Sequence, residues 1–196
     1  MAKGYVDLDY VNKLISKSDR LKKRADQEAL KIFNESKAKM VNEFENHPVT
    51  REIEGGNTST NLSKTLNNQS NLFSFIGFNE GETPIPVLKQ TVIENTNVDL
   101  NPEIKENSDS ITYSYSVTLP QEKEILEATR MPWEKGSSWA MGIEKGISGF
   151  SHFLNGLFRT SRSGGGIQSK YDVKSVHFKP KSYLSGIFNS FKLNIK

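Results

Sequence analysis

The chain has 196 residues, 26 Lys and Arg against 23 Asp and Glu, no Cys and 35% hydrophobic residues, a length that suits one domain with a core of its own. The lack of cysteine excludes a disulfide framework, a Cys-based zinc or iron–sulfur site and a thiol nucleophile. There is no run of about 18 apolar residues, and Met1 to Tyr10 lacks the basic-then-apolar order of a signal peptide, so a soluble chain, cytoplasmic at synthesis and without membrane contact, is expected.

From Asp7 to Asn46 the apolar residues recur every three or four positions, at Val11, Leu14/Ile15, Leu21, Ala25, Ala29, Ile32/Phe33, Met40/Val41 and Phe44. This spacing predicts one long helix over 7–46, capped by Asp7 or Asp9 and stopped at His47-Pro48, because the residue before a proline is pushed out of the helical region. Such a helix spans roughly 50 Å, more than a domain of this size needs, so part of it packs on something else: another arm of the monomer, or a second subunit. Residues 50–71 hold Gly55-Gly56 and a string of Asn, Ser and Thr, which predicts a long flexible polar loop. A buried strand and turn are predicted over Asn71–Phe78, opening a sheet region that runs over 72–119. Its clearest strand is Ile111–Leu119, where apolar and hydroxyl residues alternate; Glu122–Thr129 follows as a short helix.

A second long helix is predicted over 137–158, with Ser137 or Ser138 as cap and Trp139, Ile143, Ile147, Phe150 and Leu154 on one face. Gly142, Gly146 and Gly149 inside it point to a close backbone approach, most simply against the first helix; a hinge is the other reading. The remaining 161–196 reads as a basic C-terminal extension with a strand over Val173–Lys179 and a helix over Lys181–Phe191.

The residues offer little chemistry. His47, His152 and His177 are scattered, so no metal site is expected, and no Gly-x-Ser-x-Gly elbow is present. Ser161 to Lys170 is rich in glycine and hydroxyl groups but lacks the phosphate-loop order, and a flexible loop accounts for it. The neighbouring carboxylates Glu52 and Glu54 are expected in solvent. No catalytic residue and no cofactor are expected.

The charge is unevenly divided. Residues 80–127 carry ten acidic and three basic residues, a balance of −7, and residues 134–196 carry ten basic and three acidic, a balance of +7. The two blocks either neutralise each other within the monomer or meet head to tail between copies, which closes a ring when the rotation allows. Trp133, Trp139, Arg159, Arg162 and Lys170 are the candidate interface residues. A different reading is a small nucleic-acid-binding module using the basic C-terminal segment.

The order of segments resembles a known group. A long N-terminal helix runs into His47-Pro48-Val49-Thr50-Arg51-Glu52-Ile53, then come Asn71-Leu72-Phe73-Ser74-Phe75-Ile76-Gly77-Phe78, Pro132-Trp133-Glu134, Ser138-Trp139, the Gly142-to-Gly149 helix and Ser161-Arg162-Ser163-Gly164. This resembles virion structural proteins of tailed bacteriophages, in particular the small neck or tail-completion proteins of the head–tail connector. The resemblance implies an α+β fold, with two long helices packed on a small, mainly antiparallel sheet. It further implies a ring of six or twelve copies at the head–tail junction, formed in the host cytoplasm. The partners would be other copies of the chain, the portal or connector, and the tail tube or terminator proteins, close to the DNA in the channel.

Overall fold

The computed structural model describes residues 18–66, 70–107, 110–132, 136–145, 153–155, 166–168 and 179–195. The fold is α+β. Among the described residues there are seven α-helices, α1 (Asp19–Asn46), α2 (Pro48–Glu54), α3 (Leu72–Ile76), α4 (Pro84–Glu94), α5 (Glu122–Ala128), α6 (Trp139–Lys145) and α7 (Leu184–Asn194), and two small antiparallel sheets. One sheet is the hairpin of β1 (Asn97–Glu106) and β2 (Ile111–Thr118); the other pairs β3 (Phe153–Asn155) with β4 (Gly166–Gln168).

The C-terminal half of α1 carries Phe33, Ser36, Met40 and Phe44 at helical spacing, all buried against α7. Phe33 meets the edge of Phe191 at 6.2 Å between ring centroids, and Phe44 stacks on Tyr183 at 6.0 Å. Ser36 in this stripe lets the helices close, and its hydroxyl donates to the Asn194 carbonyl at 3.3 Å. Thus the end of the predicted basic extension is core, with Tyr183, Leu184, Ile187 and Phe191 all buried. The positions predicted for 7–17 of the long helix and for Val173–Phe178 lie outside the described residues.

His47 ends α1 as expected and also begins α2. Its backbone is extended, Pro48 takes the first helical position, and Nδ1 accepts a 3.3 Å bond from the Val49 amide. The ring lies 4.9 Å from that of Tyr183. Burial, and next the Lys181 charge, hold the imidazole below its ordinary pKa, against smaller opposing effects of the Ser182 backbone, Glu43 and Glu144. A depressed His contributes stability that is complete above the ordinary value near 6.5 and is lost as the pH falls through the lowered value. Protonation also removes the Nδ1 acceptor. Unfolding midpoints between pH 7.5 and 5 should therefore fall more for the parent chain than for His47→Asn, which keeps a capping oxygen and does not titrate.

In the polar segment 50–71 the described residues, 50–66 and 70–71, do not form the flexible loop that composition predicts. The segment holds α2 and a 3-10 turn over Gly56–Thr58, and Ser63, Thr65 and Leu66 are buried. The organiser is Glu52, which is fully buried and not in solvent. Its Oε2 accepts from the Ser63 amide at 2.6 Å and its Oε1 from the Leu72 amide at 2.7 Å. The second bond satisfies one of the free N–H groups at the start of α3. Burial raises the carboxyl above its ordinary pKa, and the Ser63 and Leu72 bonds offset part of that rise.

The strand predicted over Asn71–Phe78 is the helix α3. Asn71 Oδ1 caps it by accepting from the Ser74 amide at 2.9 Å, and Gly77 closes it in the left-handed region at φ 87°. A short, fully buried apolar run has no distinguishing period, so its end caps decide the conformation. The sheet is correspondingly smaller than the predicted 72–119 region: among the described residues it is the pair β1 and β2.

The predicted helix over 137–158 is also shorter. It is described from Trp139 to Lys145, and residues 153–155 are strand β3. Ser138 caps it, its hydroxyl accepting from the Met141 amide at 3.1 Å. Gly142 lies within it, while Gly146 and Gly149 lie outside the described residues. The helix packs on α5 and α7, not chiefly on α1.

Candidate assembly surface

The helical stripe of α1 divides in two. Phe33, Met40 and Phe44 enter the core, whereas Leu21 and Ile32 remain 37% and 41% exposed, with Ala25 and Ala29 half-buried between them. These four side chains sit three or four residues apart and so form one apolar strip. Opposite the strip stands the inner face of the β1–β2 hairpin, and the end of α7 closes one side with Lys192 and Ile195. The three walls enclose an open groove of about 800 Å³.

The hairpin supplies the groove's second apolar wall. Along β2 the burial alternates, with Ile111, Tyr113, Tyr115 and Val117 facing inward and Thr112, Ser114, Ser116 and Thr118 facing out. Tyr115 fastens the hairpin to α1 by donating to Asp26 Oδ1 at 2.8 Å. Burial and the Asp26 carboxylate push this phenol up to about 12, so it remains a donor at neutral pH. The Tyr113 hydroxyl is shielded from solvent and has no hydrogen-bond partner among the described residues. A two-stranded hairpin is marginally stable alone, and here its inner face is covered only in part.

A smaller recess of about 190 Å³ lies between α5, α6 and α7, lined mainly by Ile125, Ala140, Met141, Leu184 and Phe188. At its rim Glu144 accepts from the Ser185 amide at 2.7 Å. Lys145 pairs with Glu122 at 3.6 Å, one contact between the acidic and basic blocks made within the chain. Both side chains are largely exposed, and such a pair contributes little.

Of the candidate interface residues, Trp139 is not on the surface. It is 1% exposed, with Phe78 edge-on at 5.9 Å, and belongs to the core. Trp133, Arg159, Arg162 and Lys170 lie outside the described residues. The residues the sequence passes over as surface are Leu21 and Ile32, since periodicity marks an apolar stripe but not what covers it. The described residues contain no cluster of His, Asp and Glu able to hold a metal ion, and no described helix is long and apolar enough to cross a membrane. No family model, curated protein or solved structure matches the chain.

Proposed function

We propose that the chain is a virion structural protein of a tailed phage, a neck or tail-completion component that joins other copies in a ring at the head–tail junction. The observation that carries this reading is the half-used stripe of α1: Ala25, Ala29 and Ile32 line an open groove beside the core, and Leu21 continues the stripe, exposed, one turn further along. Single exposed apolar residues are ordinary, but a connected strip facing a second apolar wall marks a contact surface. The charge division adds direction. Blocks of −7 and +7 on one chain suit head-to-tail contact, in which unlike surfaces meet and a closed ring follows. Docking to the portal or connector on one side and to tail proteins on the other completes the role.

The basic side of this contact rests on Arg159 and Arg162. Reversing both, Arg159→Glu with Arg162→Glu, should lower the yield of tailed particles at least tenfold when the variant is the sole copy supplied. An undiminished yield, counted by plaque titre and by micrographs, would remove these arginines from the contact.

A further inference from the structure

Sheet edges are ordinarily protected. A row of unpaired backbone N–H and C=O groups recruits other strands unless charge, proline, a bulge or a cover prevents it. The two edges of this hairpin differ in that respect. On β1, Leu100, Asn101 and Pro102 bulge opposite the single residue Tyr115, and Asp99, Glu103, Lys105 and Glu106 charge the strand. Proline cannot donate to a ladder, and the bulge bends the strand away, so that edge is blunted. The sequence of β2, Ile-Thr-Tyr-Ser-Tyr-Ser-Val-Thr, has eight residues with no charge, proline or glycine, in a chain that is 25% charged. Among the described residues no strand pairs with its outer edge.

The same strand walls the groove through its inward-facing residues Ile111, Tyr113, Tyr115 and Val117. A strand laid along β2 would therefore extend the sheet that walls the groove. Strict alternation makes β2 a match for itself. Paired antiparallel, two copies align hydroxyl residues on the outer face and Ile, Tyr and Val on the inner face, with no like charges opposed.

We infer that the edge of β2 left unpaired among the described residues is a strand-pairing site whose occupant is β2 of a second copy, the two antiparallel about a two-fold axis. The result is a four-stranded sheet and a closed dimer of the free chain. This contact is isologous and so separate from the head-to-tail contact of the ring; it neither requires nor forms the ring.

The test uses the whole purified chain. Light scattering behind a sizing column should give a dimer. Ser114→Lys with Ser116→Lys places two charges on the outward face of β2 without touching the core; it should give a monomer with unchanged circular dichroism and unfolding midpoint. The chain has no cysteine, so single substitutions Thr112→Cys, Ser114→Cys, Ser116→Cys and Thr118→Cys report proximity directly. At least one should form an inter-chain disulfide under mild oxidation at ten times the rate of Ala38→Cys on the exposed side of α1. A parent chain that is monomeric, a dimer that survives the two lysines, or cross-linking no faster than the Ala38→Cys control would each overturn the pairing. A larger closed oligomer that survives the lysines would overturn it while leaving the ring standing. A monomer would overturn it and leave ring formation on a docking partner intact.

Discussion

Replacing Trp139 by alanine is expected to lower stability by about 3–5 kcal/mol, the cost of removing a large aromatic from a packed core. The indole is 1% exposed, with Phe78 against it and Ala140 and Ile143 buried on the same short helix. Its own amide bonds the Thr129 carbonyl at 2.8 Å, and the Ser138 hydroxyl meets that of Thr129 at 2.5 Å. The side chain therefore holds the junction between α5 and α6 from within. Chemical unfolding followed in a Trp133→Phe background, where Trp139 is the sole indole, reads this site directly. Its emission should be blue-shifted in the folded state, and Trp139→Ala, followed by circular dichroism because no indole then remains, should lower the free energy of unfolding by the stated amount. A loss below 1 kcal/mol, or a red emission, would return Trp139 to the surface where the sequence suggested it.

Glu52→Ala is expected to cost about 3 kcal/mol, because it leaves two buried backbone N–H groups, those of Ser63 and Leu72, without acceptors. Those donors belong to the backbone, so no exchange of side chains alone satisfies them, in contrast to a buried ion pair whose two partners can be replaced together. Glu52→Gln keeps one acceptor oxygen and turns an NH₂ toward the other amide, so it should lie between the parent and alanine. The pH dependence has a definite sign. A carboxyl with a raised pKa binds its proton more tightly in the fold than in the unfolded chain. Its contribution is complete below the ordinary value near 4.5 and declines as the pH rises through the raised value. The stability gap between the parent and Glu52→Gln, measured by urea unfolding from pH 4 to 7, should change across that window; a gap independent of pH would contradict the burial of an ionisable group here.

Sequence and structure agree where a period is long and a boundary is chemically marked. The α1 stripe, the Pro48 boundary, the alternation of β2 and the short helix α5 all follow from local rules. They diverge where a distant residue decides. Segment 50–71 is polar because its order comes from hydrogen bonds, above all to Glu52, rather than from apolar burial. Glu52 itself stands between Val49 and Ile53 on the inner face of α2, a position visible in the helical spacing only once 48–54 is known to be a helix. Leu72–Ile76 has strand-forming composition, yet Asn71 and Gly77 at its ends select a helix. The groove was half legible: the stripe of α1 is plain in the sequence, but that α7 covers one half and leaves the other open is a tertiary fact.

The proposed place of the chain, in a ring at the head–tail junction, is tested by its position in the particle. Electron micrographs of virions carrying a gold-labelled tag on the chain, averaged about the tail axis, should place the label at the junction, in a ring of six or twelve copies. Label elsewhere on the virion, or finished particles that lack the chain, would contradict the assignment.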